Sequence, residues 1–300
     1  MSESVVAVWP ELKLPHGMKE DTRIAPHILV RSSVFSTLEY AGAAQRPMIL
    51  KSEPLPLGAM SHYRVKQLEG PRLSQTDADL MFWMLSRAYR YGAPKDKATV
   101  FFKRGEAITA LGRKRGGKTD VLLDSSLQRL CSAEFHFEER DKATEEMRPL
   151  AQTRLLSKIE RVQDDAKRYD YRVTIADGVA ALLENGSWVR LSGPVREELA
   201  SDPLARGLYA CFESNKKVYA TLPETLKEQM GRTEELDRAE DTDKKGMQTS
   251  KWLHALRRAL ARVQAATGWS QCELVAAGPL AGKVQVTKGN VRRRPEPRTP

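Results

Sequence analysis

QTSKWLHALRRALARVQAAT, residues 248–267, is the stretch whose reading decides the fold. At about 100° per residue, Trp252, Leu253, Leu256, Ala259, Leu260 and Val263 share one stripe. Lys251, His254, Arg258 and Arg262, at i, i+3, i+7 and i+11, share the opposite one. The spacing predicts a helix held to its domain by an apolar face, with a basic face turned outward. No Asp or Glu occurs between Lys251 and Gln271, whereas an ordinary solvated face mixes both signs. Two alternating segments follow, 273–277 and 283–287, with Gly278, Pro279 and Gly282 between them. They predict a hairpin.

Upstream, 203–214 reads as a helix burying Leu204, Leu208, Tyr209 and Phe212. Residues 218–221 read as a strand and 222–230 as a short helix with Pro223 near its first position, where proline is favoured. A charged loop, 233–246, precedes the basic helix. Helix, strand, helix, helix, hairpin is the order of a winged helix.

The same order occurs earlier in the chain. Ser74-Gln75-Thr76-Asp77 starts a helix with Leu80, Met81, Met84, Leu85 and Ala88 on one face, ended by Gly92 and Pro94. Residues 99–102 read as a strand, 106–111 as a short helix, 112–118 as a glycine- and cation-rich turn, and 119–133 as a helix with Leu123, Leu127 and Leu130 inward. Segments 134–138 and 153–159 complete a hairpin, to which 169–175 adds a strand. A helix at 176–184 and a strand at 188–191 tie the copies together. The expected fold is α+β: two tandem winged-helix domains at 25–175 and 176–288. A flexible arm (1–24) precedes them and a Pro- and Arg-rich disordered tail (289–300) follows.

With 300 residues, a net charge of +10 and a pI near 9.5, the chain accommodates two domains and favours an anionic partner. Cys131, Cys211 and Cys272 form no CxxC pair, which suits core filling in a reducing cytosol. No basic leader followed by an apolar run and no uncharged stretch of about 20 apolar residues occurs, so neither secretion nor a membrane span is expected.

The first turn carries Lys103, Arg104, Arg113, Lys114, Arg115 and Lys118 against Glu106. Such cations neutralise phosphates and release counterions without reading sequence. Thr119 lies beside them, and Ser125 and Gln128 on the following helix are placed to touch base edges. In the second copy Lys251, His254, Arg258 and Arg262, with Lys283 on the hairpin, complete the candidate DNA-binding set. Arg forks onto guanine O6 and N7 in a major groove roughly 12 Å wide, while Lys supplies phosphate contacts.

Residues 112–119 also satisfy G-x-x-x-x-G-K-[ST], the phosphate-cradling loop of nucleotide hydrolases, with Lys118 on the phosphates, Thr119 on Mg²⁺ and Asp177 as the acidic partner. That loop needs a buried parallel strand before it, and 106–111 is helix-compatible instead. The histidines at 16, 27, 62, 136 and 254 never fall as His-x-His, and no G-x-S-x-G or H-E-x-x-H occurs. The acidic loop 233–243 lacks the spacing of a calcium loop. No catalytic residue, metal or cofactor is expected.

Residues 23–35, RIAPHILVRSSVF, resemble the R-I-x-P-x-x-x-x-R-S-x-x-F segment of TrfA-type plasmid replication initiators. The 77–91 helix with Leu80 and Trp83, the pair 99–111 and 119–130, Leu204-Ala205-Arg206 and Lys251-Trp252 are similar to further parts of that family, so the resemblance spans roughly 21–288. It implies a non-catalytic bacterial cytoplasmic protein, associated with plasmid and nucleoid. Such a protein binds direct repeats (iterons) in double-stranded origin DNA, recruits host DnaA and the replicative helicase, and controls copy number through a monomer–dimer equilibrium. The glycine- and arginine-rich turn at 112–118 and the long acidic loop depart from the family pattern. A winged-helix transcriptional or partition regulator shares every feature read from the residues.

Overall fold

A computed structural model describes residues 8–14, 21–40, 42–90, 98–141, 143–162, 169–233 and 242–289. In chain order its main elements are β1 (Thr22–Pro26), α1 (His27–Val30), β2 (Phe35–Ser36), β3 (Met48–Ile49), β4 (Leu55–Leu57), β5 (Tyr63–Pro71), β6 (Leu73–Ser74), α2 (Gln75–Arg90), β7 (Thr99–Phe102), α3 (Arg104–Ala110), α4 (Gly117–Ser132), β8 (Glu134–Arg140), β9 (Met147–Arg154), β10 (Leu156–Arg161), β11 (Tyr171–Ile175), α5 (Gly178–Ala181), β12 (Trp188–Ser192), α6 (Gly193–Glu198), α7 (Pro203–Glu213), α8 (Pro223–Gln229), α9 (Thr242–Thr267), β13 (Gln271–Leu274) and β14 (Val284–Thr287). The fold is α+β.

Helix α2 organises the core. Asp77 begins it by accepting from the Ser74 amide (2.8 Å) and hydroxyl (3.0 Å). Leu80, Met81, Met84 and Leu85 are fully buried, and the helix packs on β1, β7, α4 and α7. Ser86 ties it to β1 by accepting from the Ile24 amide at 2.6 Å.

Strand β5 shows the two-residue period of a half-buried sheet: Tyr63, Val65 and Gln67 are buried while Arg64 and Lys66 face solvent. It lies between β3 and β8 in the order β3–β5–β8–β9, with β4 also paired to it. Phe135 and Phe137 on β8 continue the buried face. Gly70 turns at φ +91°, where a Cβ would stand 2.7 Å from the Ser132 carbonyl oxygen, so only glycine fits as β5 passes the end of α4.

Both halves share a topology. In the first, α2, β7, α3 and α4 lead to the antiparallel pair β10–β11, and β7 closes the sheet on β11 with Val100 opposite Val173. In the second, α7, α8 and α9 lead to the pair β13–β14. There Thr221 and Val284 exchange both backbone bonds, at 3.0 and 2.8 Å. A bridge thus does for β14 what β7 does for β11. The first half differs by inserting β8–β9 between α4 and β10.

Several expectations are corrected. The 134–138 segment meets 153–159 only at Glu134–Arg154 and Phe135–Thr153: the rest of β8 pairs with the earlier residues of β9, and β10 pairs with β11. The 153–159 segment straddles the junction at the fully buried Leu155, which passes the chain from one sheet to the next. Residues 218–221 form a single bridge, not a strand. The 176–184 helix shrinks to α5, followed by a short 3₁₀ turn with Asn185 at φ 54°. Within the expected arm, Trp9 is buried edge-on against Tyr89, and Thr22–Ile24 form part of β1 because apolar side chains there find the core. The strands of 48–71, not expected from the sequence, join β8 and β9 in one sheet. Helix α9 begins before the expected position 248. Residues 234–241 of the acidic loop and 290–300 of the tail lie outside the described residues.

The halves share one contiguous core. Strand β1 crosses the expected 175/176 boundary to pair with β12, with Ile24 opposite Arg190. Asp79 on α2 is clamped by Arg196 of α6 and Arg206 of α7, all three largely buried. Burial opposes the Asp79 charge, but the two guanidiniums outweigh it and hold this carboxyl below the ordinary range. No helix among the described residues is long and apolar enough to cross a membrane.

Candidate nucleic-acid interface

Helix α9 buries Trp252, Leu256, Ala259, Leu260 and Val263 and exposes Lys251, His254, Arg257 and Arg258. Its apolar stripe packs on α7 and β13. Arg257 was missed in the sequence because it sits off the i, i+3, i+7 line, at the flank of the same exposed face. Arg262 departs from expectation. It donates to the Ser201 hydroxyl (3.1 Å) and the Glu198 carbonyl (3.3 Å), and its guanidinium lies 3.5 Å from Asp202. It fastens α9 to the α6–α7 junction. Arg258 stays two-thirds exposed, 3.9 Å from the same carboxylate. Lys283 is half-buried at the turn before β14, its amide donating to Leu280 at 3.0 Å.

In the first half, Lys103, Lys114, Arg115 and Lys118 are exposed around the α3–α4 turn. The Arg115 guanidinium lies over Gly105, where any Cβ would collide with it. Gln128 is exposed on α4 and Ser125 is half-buried. Val121 and Leu122 also project from α4 into solvent.

Three members of the expected set point elsewhere. Arg104 donates to the Tyr171 hydroxyl at 2.7 Å and pairs with Asp120 at 3.4 Å and Asp124 at 3.8 Å. The Tyr171 bond, with the two carboxylates, raises its affinity for its proton. It is a strut between α3, α4 and β11, because the fold brings Asp120 and Asp124 of α4 to it. Arg113 turns inward and donates to the Thr76 hydroxyl at 3.3 Å. The Thr119 hydroxyl closes its own turn on the Lys114 carbonyl at 3.0 Å.

That turn enters α4 from helix α3, so 112–119 has no strand before it to form a phosphate cradle. Asp177 begins α5 after the antiparallel strand β11.

The β10–β11 hairpin supplies cations the sequence reading did not single out: Lys158, Arg161 and Arg172 are exposed. Arg161 reaches back to Asp124 on α4 at 2.9 Å, while Lys158 and Arg172 flank Glu160 at 2.8 and 3.6 Å. Only the correct strand pairing reveals that they share a hairpin beside α4. Among the described residues no group of three or more His, Cys, Asp or Glu is placed to hold a metal. Burial pushes the Cys211 and Cys272 thiols up to about 12, which leaves them poor nucleophiles.

No protein-family model and no curated protein matches the chain. Among solved structures it is similar to a crystal structure of domains 2 and 3 of RctB, at 12% identity and a TM-score of 0.43, over 69% of this chain and 78% of that one. A second crystal structure of RctB domains 2–3 gives 15% identity and a TM-score of 0.36, over 71% and 76%. At these values the likeness carries no argument about function.

Proposed function

We propose that this chain binds double-stranded DNA through two winged-helix modules and acts, without catalysis, as a plasmid replication initiator on repeated origin sites. The observation that carries the reading is α9. One face of this helix is locked into the core, and the other offers Lys251, His254, Arg257 and Arg258 to solvent beside a two-stranded hairpin. A helix of this kind enters the major groove while its flanks hold phosphates. In the first module α4 takes the same place, with Gln128 and Ser125 for base edges, Val121 and Leu122 for thymine methyls, and Lys103, Lys114, Arg115 and Lys118 for the backbone. The β10–β11 hairpin adds Lys158 and Arg161 at its side. The step from duplex binding to initiation, and to recruitment of DnaA and the replicative helicase, rests on the resemblance of residues 23–35.

The test is a titration of the full chain against duplexes carrying the direct repeats of its parent replicon, and against scrambled duplexes, across 50–200 mM salt. Affinity should prefer the repeats and fall steeply with salt. Equal, salt-insensitive binding to both duplexes would sink the reading.

A further inference from the structure

A cavity of about 390 Å³ lies where the start of α2, the α3–α4 turn, α4 and the start of α7 meet the loop before β3. Four arginines from four separate segments line it: Arg46, Arg113, Arg129 and Arg206. We propose that this cavity is a binding site for a phosphate group.

The charge balance points that way. Asp77 takes Arg129 at 2.7 Å and lies 3.7 Å from Arg46, and Asp79 takes Arg206. Arg113 has the Thr76 hydroxyl alone, and no carboxylate within 4 Å among the described residues. Glu39 is the one acid on the cavity lining, and it is exposed. Four guanidiniums over two buried carboxylates and one solvated acid leave the wall positive.

Burial, together with the neighbouring Arg206, makes the Arg113 charge harder to hold, and burial acts the same way on Arg46. An incoming anion relieves both. The Nε of Arg206, on a side chain almost wholly buried, has no hydrogen-bond partner.

Planar guanidiniums converging from several directions suit a tetrahedral oxyanion, which they grip by paired bonds. Leu38, Leu122 and Tyr40 are also on the lining, so an organic group attached to the phosphate is accommodated. The volume lies in the range of small-molecule sites. Two sources offer this chemistry: a soluble phosphate ester of nucleotide size, or the backbone of a duplex lying along α4. The proposal does not depend on the winged-helix reading, because the first source needs no DNA.

The experiment is calorimetric titration of the full chain, without DNA, by inorganic phosphate, pyrophosphate and adenosine monophosphate. The same titrations follow with Arg113→Ala and Glu39→Gln, each checked for parental circular dichroism. Duplex binding of all three proteins is measured over the same salt range. With a soluble ligand, adenosine monophosphate binds saturably, R113A weakens it about tenfold, and E39Q tightens it severalfold. With a DNA phosphate as occupant, the three probes do not bind, R113A lowers the salt slope by about one, and E39Q raises duplex affinity. The proposal is overturned if R113A changes neither measurement, or if E39Q strengthens neither.

Discussion

The guanidinium of Arg262 on α9 stands 3.5 Å from the carboxylate of Asp202, the residue that caps α7. Asp202 uses its other oxygen to accept from the Ala205 amide at 3.1 Å. One carboxylate therefore starts α7 and anchors the helix packed across it. The basic stripe read from residues 248–267 is divided by this contact: its earlier members stay exposed and its last member becomes a tether.

Arg262→Ala and the pair Lys251→Ala plus Arg258→Ala should separate structure from binding. The first removes two hydrogen bonds and a half-exposed ion pair, and should lower stability by about 1 kcal/mol with the salt slope of DNA binding unchanged. The double variant should keep its melting temperature and lower the salt slope by about two. Thermal denaturation and anisotropy titrations on the same samples check both.

Arg104→Ala tests the reassignment of a turn cation. Its bonds to Tyr171, Asp120 and Asp124 tie α3 to α4 and β11. We expect a loss of about 1–2 kcal/mol in urea unfolding and an unchanged salt slope. A reduced slope at parental stability would return Arg104 to the DNA surface.

Asp79→Ala leaves Arg196 and Arg206 buried and unpaired. Removing one partner of a buried ion group costs about 3–5 kcal/mol, so the denaturant midpoint should fall sharply. Because the Asp79 pKa is depressed in the fold, its contribution is present above the ordinary carboxylate pKa and is lost as pH falls through the lower folded value. Acid sensitivity should be blunted in the variant.

His27 supplies a second pH effect in a different window. Burial, then the nearby charges of Arg31 and His62, lower its pKa from 6.5 to about 4. The unfolded chain takes the proton below 6.5 while the folded chain refuses it until about 4. Stability is therefore full above 6.5 and declines as pH falls toward 4. Urea midpoints across this window should fall less steeply in His27→Gln than in the parent.

Much of this was legible locally. The periodicities of α2, α4, α7 and α9 are strong because each helix has one buried stripe, and their apolar positions are the observed core. The order of elements around α9 followed from Gly and Pro at its turns. The inserted β8–β9 hairpin was not legible, since 134–138 alternates equally well whichever strand it meets. Tyr63 and Val65, alternating with Arg64 and Lys66, carry a short two-residue signal that ends at the polar Gln67. In the candidate site, exposure of Lys103, Lys114, Arg115, Lys118, Lys251, His254 and Arg258 agreed with their sequence pattern. Arg104, Arg113 and Arg262 did not, because their partners lie far along the chain.

The sequence by itself determined the long helices α2, α4, α7 and α9, which of their faces are apolar, and that cations concentrate at one turn and along one helix. Those properties depend on neighbours within a few residues, where backbone geometry sets the spacing. Only the tertiary structure decided which strand meets which, and which arginine finds an acid. The Asp202 contact of Arg262 and the Asp79 clamp join residues 60 or more positions apart, and no local pattern encodes them. Packing brings such charges together, and electrostatics then decides which stay free for a ligand.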